Sequence, residues 1–188
     1  MNFMPFSAEC AITRWGLMRN SFSENIQEHS HQVAVLAHAL ALIRRDILHL
    51  PGPDPDRCAV AALYHDASEI LTGDMPTPIK YYNPEIRNAY KVVEHVAGER
   101  LLDMLPQELR GSYESYVLEN DRDLNPIVKA ADKLSAHIKC LEELKAGNQE
   151  FATASAQTLA ALEDTGREEV RWFLENCLEP FTRNLDQL

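Results

Sequence analysis

Between the apolar positions Cys58, Val60, Ala61 and Leu63 and the pair Ile70-Leu71, the chain interposes His65-Asp66-Ala67-Ser68-Glu69. Burying an imidazole and two carboxyls in such a run costs free energy unless something compensates them. On a helix, neighbouring positions lie about 100° apart, so His65 and Asp66 can converge on one point, with Glu69 one turn further on. A divalent cation would supply the compensation, taking a neutral nitrogen from His65 and an oxygen from Asp66, with Glu69 near it and not necessarily a ligand. The competing reading is a satisfied helix-surface pair, and an HD dipeptide alone does not decide between them.

Two other residues bear on the choice. His29 follows Glu28 at the start of an apolar helical pattern, and Asp132 stands between Ala131 and Lys133 inside another. Aspartate is a poor residue for a helix interior. Its neighbours at helical spacing, Val128, Ser135 and Ala136, are small or apolar and would let a second helix approach, which points Asp132 inward and in need of a partner. On local pattern alone, a solvated pairing of Asp132 with Lys129 or Lys133 is an equal alternative.

The elements that must carry these residues read as helices throughout. From Glu28 to about Ile47, Val33, Leu36, Leu40, Ile43 and Ile47 recur at helical spacing, and Val35, Ala39 and Leu42 widen the stripe, as in a central, buried helix. Pro51-Gly52-Pro53 breaks it. Asp54 as N-cap and Pro55 at the first position then predict a helix to about Leu71, closed by Thr72-Gly73-Asp74. The two prolines of Met75-Pro76-Thr77-Pro78 predict an ordered loop. Asn83-Pro84 opens a helix with Ile86, Tyr90, Val93, Ala97, Leu101 and Met104 on one face, ended by Pro106. Asn125-Pro126 opens another, with Ile127, Ala131, Leu134, Ile138, Leu141 and Leu144 in register until Gly147. The segments 150–163 and 167–177 are also helix-periodic, and no stretch sustains strand alternation. The expectation is an all-α fold, one helical domain over residues 1–188.

Composition narrows the function. A formal net charge of -11 disfavours a nucleic-acid polymer or an anionic membrane as partner, so an anionic ligand must be held locally by a metal or a few basic groups. The N-terminus lacks a basic start followed by an apolar run, which predicts a cytoplasmic protein. Cys10, Cys58, Cys140 and Cys177 form no C-x-x-C pair and read as reduced, structural residues within apolar helical patterns.

His29, then His65-Asp66, then Asp132 on three separate helices resembles the HD phosphohydrolase superfamily. The segments Arg14-Trp15-Gly16-Leu17-Met18-Arg19-Asn20, Glu24-Asn25, Glu28-His29-Ser30, Tyr64 to Glu69, Leu71-Thr72-Gly73-Asp74, Pro76-Thr77-Pro78 and Lys129-Ala130-Ala131-Asp132 further resemble the bacterial YfbR-like 5'-deoxynucleotidases, up to about Phe151. Gly16 stands where that family has proline, the loop before Asp54 is short, and the stretch from Glu119 to Asn125 departs. The resemblance implies hydrolysis of 2'-deoxyribonucleoside 5'-monophosphates, little base preference, discrimination against the ribose 2'-hydroxyl, and a homodimer. It implies His29, His65, Asp66 and Asp132 as ligands of one divalent metal. Two imidazoles and two carboxylates suit Co, Mn, Fe, Ni or Zn better than the all-oxygen shell of magnesium or calcium. Glu69 would orient or deprotonate the attacking water, and Arg14 and Lys80 would clamp the phosphate. Trp15, Asp74 and Thr77 would line the sugar and phosphate pocket.

Without the family, plainer readings stand: Trp15 with Leu17 and Met18 as core, Arg14 and Arg19 as solvated charges, and Asp74 as a turn cap. Other activities also share such a metal site. An HD enzyme acting on a cyclic nucleotide, a nucleoside triphosphate or a guanosine alarmone is one, and a non-catalytic regulatory module is another.

Overall fold

The computed structural model describes residues 4–80, 82–183 and 186. Helix α1 (Ile26–Leu42) starts at a capping box. The Asn25 side chain accepts the Glu28 N–H at 2.9 Å, and the Glu28 carboxylate accepts the Asn25 N–H at 3.0 Å. This fixes the helix start and puts His29 in its first turn, on the buried face with Ile26, Val33, Leu36 and Leu40. The pattern read to Ile47 continues, but over Ile43–Ile47 the last turn widens to π geometry.

Helix α2 (Pro55–Leu63) begins as expected, with Asp54 accepting the Arg57 N–H at 2.9 Å. It does not run to Leu71. After Leu63 the chain tightens into i→i+3 turns, among them Ala67 N–H to Tyr64 O at 3.0 Å and Glu69 N–H to Asp66 O at 2.9 Å, before the short α3 (Glu69–Thr72). His65 supplies the reason. Its Nδ1 lies 2.8 Å from the Ala62 carbonyl, which a continuing α-helix would offer to the Asp66 N–H. The HD pair therefore sits at a helix break, and its convergence comes from a tight turn rather than from regular helical spacing.

The expected loop at the two prolines also differs: Thr77–Lys80 forms one turn, α4. Pro78 falls at the start of that turn, where its missing N–H costs nothing. Helix α5 (Pro84–Asp103) is capped by Asn83, which accepts the Ile86 N–H at 2.7 Å. Its buried face is Tyr90, Ala97, Gly98, Leu101 and Leu102, while Val93 and Met104, expected to be buried, are 49% and 43% exposed. The shift follows from α6 (Gln107–Val117), a helix the sequence reading did not anticipate, which packs on α5 and covers only part of the expected stripe. Helix α7 (Asn125–Lys145) has Leu124 as its N-cap, with Asn125 and Pro126 already inside it.

Helices α1, α2 and α7 pack together as the centre of the molecule. Val33, Leu36, Leu40, Ile127, Leu134 and Ile138 fill the space between them, and Ala37, Ala62, Ala130 and Ala131 let the helices approach closely. Each large side chain buried there contributes on the order of 1.5–3 kcal/mol as an upper estimate. Helices α8 (Ala152–Glu163) and α9 (Glu168–Asn176) add Leu162, Val170 and Phe173 to this core. A 3₁₀ segment, Met4–Ala11, packs on α1 and α3. Among the described residues no strand forms beyond one isolated bridge between Thr13 and Asn25, in keeping with the all-α expectation. Cys58 and Cys140 are buried free thiols as expected, but Cys10 is exposed on the 3₁₀ segment. None of these helices is long and apolar enough to cross a membrane.

Candidate metal centre and substrate cleft

The first turn of α1, the turn after α2 and the middle of α7 bring four side chains to one point. His29, His65 and Asp66 each offer a ligand atom within 4.8 Å of the other two. Asp132 Oδ1 lies 3.0 Å from His29 Nε2 and 3.9 Å from His65 Nε2. Asp66 Oδ2 lies 3.6 Å from His29 Nε2 and 3.2 Å from His65 Nε2. Asp132 faces inward, so the solvated pairing with Lys129 or Lys133 falls away.

The outer nitrogen of each imidazole decides which way its lone pair points. His65 Nδ1 meets the Ala62 carbonyl, which can only accept, so Nδ1 carries the hydrogen and Nε2 is presented to the carboxylates. His29 Nδ1 lies 3.2 Å from Ser135 Oγ, whose own hydrogen goes to Gln32 Oε1 at 2.6 Å. Ser135 therefore accepts from His29, and His29 Nε2 also faces inward. Two nitrogen lone pairs aimed at two carboxylates demand a cation between them. His65 Nε2 is buried without a hydrogen-bond partner. Burial opposes charge on His65, but Asp66, then Asp132 and Glu119, drive its pKa up to about 10, so a proton meets the demand when nothing heavier does. Burial likewise works against ionising Asp66 and Asp132, yet the histidines, and Arg14 beside Asp66, hold both below the ordinary carboxylate range. The donor set of two nitrogens and two oxygens fits a borderline transition metal.

Around this point stand the other expected residues. Arg14 donates from Nη1 to Asp66 Oδ2 at 3.0 Å and lies 4.0 Å from Asp132 Oδ1. It is a half-buried guanidinium on the His/Asp cluster rather than a solvated charge. Glu69 is 5% exposed, and its Oε2 has no partner. Burial first, then Asp66 and Asp74, push the Glu69 carboxyl up to about 9. Trp15 sits in the left-handed region at φ 59°, donates its indole N–H to Glu24 Oε2 at 3.0 Å, and leans on Phe151 with ring centroids 5.3 Å apart. Asp74 is half-buried and within electrostatic reach of Arg14 and Glu69. Lys80 is tied to Glu94 at 2.7 Å over the Tyr90 ring, and Thr77 is exposed at the start of α4. Lys80 lies within electrostatic reach of Glu69.

Four further residues escaped the sequence reading as members of the site. Glu24 receives Trp15, lies 3.5 Å from Arg14 Nε, and lies 3.9 Å from His29 Nδ1. Its signal was present in the Glu24-Asn25 motif, but no role attached to it. Ser135 had been read only as a small neighbour of Asp132. Glu9, from the 3₁₀ segment, is 7% exposed near His65 and Asp66, and burial raises its carboxyl to about 7. Glu119, with φ 46°, also lies in the field of His65 and Asp66, and burial raises its carboxyl. No local pattern marked either glutamate.

A family model described as 5'-deoxynucleotidase YfbR-like matches residues 6–181. A Vibrio cholerae protein named 5'-deoxynucleotidase is 49% identical over 180 residues, covering 94% of this chain and 92% of its own. A Shigella boydii protein named 5'-deoxynucleotidase YfbR is 45% identical over 179 residues, covering 94% of this chain and 89% of its own. Among solved structures, an HD-domain phosphohydrolase from Listeria innocua superposes with TM-score 0.83 at 23% identity, over 97% of this chain and 89% of that one. The HD phosphohydrolase of cyanophage S-2L, solved with dA and one catalytic zinc ion, has TM-score 0.66 at 18% identity, over 95% and 97% of the two chains. At such identities the two structures bear on the fold alone.

Proposed function

The chain belongs to the YfbR-like 5'-deoxynucleotidase family, and from that premise we propose that it hydrolyses 2'-deoxyribonucleoside 5'-monophosphates to deoxynucleosides and phosphate. The observation that carries the reading is Arg14 bonded to Asp66 at 3.0 Å, within the group of His29, His65 and Asp66 that Asp132 adjoins at 3.0 Å from His29 Nε2. A guanidinium on a metal cluster is a phosphate clamp, since its fork matches two phosphoryl oxygens. The four clustered residues would hold one divalent transition metal. When bound, such an ion polarises a phosphoryl oxygen and makes water a better nucleophile at neutral pH.

The chain's own residues do the rest. Arg14 takes the phosphate and orients phosphorus for in-line displacement of the 5'-oxygen. With a cation held by Asp66, the positive charge would draw the Glu69 carboxyl down from its raised value of about 9, so that Glu69 Oε2, buried and unpartnered, would be ionised and would receive the proton of the attacking water. The Trp15 indole, fixed by Glu24, forms the wall that crowds a ribose 2'-hydroxyl, and Asp74 accepts from a sugar hydroxyl. Thr77 and Lys80 close the rim around the phosphate.

We read the place of action as the cytoplasm, supported by the free thiols Cys10, Cys58, Cys140 and Cys177. The assembly we propose is a homodimer, and the exposed Val92, Val93 and Val96 on α5 are the apolar surface that a second copy would cover. Light scattering after size exclusion tests it, and a monomer mass at micromolar concentration would exclude it. The activity is tested by turnover of a nucleotide panel with added divalent metals. We expect kcat/KM for dAMP to exceed that for AMP by up to about a hundredfold, the discrimination that a crowded pocket gives against one hydroxyl. Trp15→Ala should narrow the ratio, and equal wild-type rates on the two nucleotides would remove the assignment.

A further inference from the structure

The segment from Trp15 to Phe22 has no regular helix or strand, yet groups 117 to 131 residues away hold it. The Glu143 carboxylate accepts the Ser21 N–H at 2.8 Å and the Phe22 N–H at 3.2 Å. Lys139 Nζ donates to the Phe22 carbonyl and to Glu143 Oε1, both at 2.6 Å. Asn148 Nδ2 donates to the Arg19 carbonyl at 2.7 Å and to Glu143 Oε2 at 2.9 Å. Glu150 Oε2 accepts the Arg19 N–H at 3.2 Å.

The end of α7 is built for this arrangement. Gly147, with φ 90°, closes a Schellman turn in which the Asn148 N–H reaches the Glu143 carbonyl and the Gly147 N–H the Leu144 carbonyl, both at 2.9 Å. That turn lays Asn148 over the Glu143 side chain. Glu143 is wholly buried and Lys139 is 5% exposed. A buried ion pair is a weak way to stabilise a fold. Here it presents one acceptor group and one donor group to a loop that needs both, which no apolar pair can do. The hold passes on to the indole. Asn20 Nδ2 donates to the Trp15 and Met18 carbonyls at 3.3 and 3.1 Å, and Phe151, in the same turn as Asn148, backs the Trp15 ring. Trp15 holds a left-handed backbone, which persists only where its surroundings over-determine it.

We propose that Lys139, Glu143 and Asn148 are positioning residues for sugar discrimination: they lock the Trp15–Phe22 loop and set the depth of the indole in the sugar pocket. The inference rests on the reading of Trp15 as the wall of that pocket. None of the three lies on the metal cluster, so their loss should alter selectivity and leave the metal in place.

The test uses Asn148→Ala and the double variant Lys139→Met/Glu143→Leu, which removes both buried charges together so that neither is stranded. The readouts are kcat/KM for dAMP and for AMP, bound metal, and acrylamide quenching of Trp15 fluorescence in a Trp172→Phe background. In the double variant we expect the dAMP to AMP ratio to narrow by about fivefold or more, with more quenching and wild-type metal content. A folded double variant with wild-type ratio and quenching overturns the proposal. Should the double variant not fold, Asn148→Ala decides: a ratio narrowed by about twofold supports the proposal, and an unchanged ratio overturns it. Equal wild-type rates on dAMP and AMP would overturn the sugar-wall reading and this proposal with it. A selective wild type with unselective effects of the variants overturns this proposal alone.

Discussion

Removing one hydroxyl behind the metal cluster should weaken metal binding without touching a ligand. Ser135 Oγ accepts from His29 Nδ1 at 3.2 Å because its own hydrogen is committed to Gln32 at 2.6 Å. Ser135→Ala strands a buried Nδ1–H, a loss of about 1–3 kcal/mol where no replacement acceptor comes. One alternative, Glu24 Oε1, is 3.9 Å away, and that carboxylate already serves Arg14 and Trp15 through its other oxygen. The imidazole then turns or changes tautomer, either of which takes the Nε2 lone pair off the centre. Outer partners of metal-bound histidines are typically worth 10–100-fold in affinity, about 1.4–2.7 kcal/mol. We expect the Kd for Zn²⁺ or Co²⁺, measured by competition with a chromophoric chelator, to rise about tenfold or more. The melting temperature of the metal-free protein serves as the control for general damage. An unchanged Kd in a folded Ser135→Ala protein would refute the tautomer argument and leave Ser135 as packing only.

Other outcomes follow from the same geometry. His29→Ala, His65→Ala, Asp66→Ala and Asp132→Ala should each abolish turnover and lower metal content by elemental analysis, and metal retained in two of the four would undo the site. Glu69→Ala should lose turnover while still binding metal and dAMP in equilibrium dialysis, and loss of the metal would make Glu69 a ligand. Burial alone would raise the Glu143 carboxyl, but bonds from Lys139, Asn148 and Ser21 outweigh it and hold the pKa at about 2. A folded pKa below the unfolded value contributes stability that is full above pH 4.5 and lost as pH falls toward 2, at most about 3 kcal/mol. Urea unfolding at about pH 5 and pH 3 should therefore show a smaller loss in Lys139→Met/Glu143→Leu than in wild type, and equal losses would contradict the sign.

Histidine and aspartate inside apolar helical runs drew notice to His29, His65, Asp66 and Asp132, but local pattern left the HD pair undecided and Asp132 balanced against a solvated pairing, and the set of four came from the family resemblance. The structure points Asp132 at His29. The break after Leu63 was not legible. It depends on His65 Nδ1 taking the Ala62 carbonyl, a choice of side-chain rotamer that spacing cannot express. Helix α6 escaped because only Val117 of its residues is buried, which leaves little periodic signal. Thr77–Lys80 was read as loop from its prolines, although proline is compatible with the first turn of a helix. Lys139 and Glu143 drew no reading from the sequence, because nothing local shows that the loop from Trp15 to Phe22 folds back over them.

Asp132, Ser135, Lys139 and Glu143 are separated by three, four and four positions, so they form one polar stripe along α7. The last lies eleven positions after the first, about 16 Å of axial rise and, after three full turns, a net rotation of only about 20°. The helix thus works as a gauge with Asp132, the proposed metal ligand, at one mark and the loop anchor at the other. Many individual residues between those marks can be exchanged without moving either. Adding or removing a single residue cannot be absorbed in the same way, because it swings one end about 100° relative to the other. Glu143 would then turn away from the loop, and the loop backbone would lose its acceptor. In diverging relatives the exposed positions of this stretch should drift in composition while its length holds fixed, the opposite of what surface loops do.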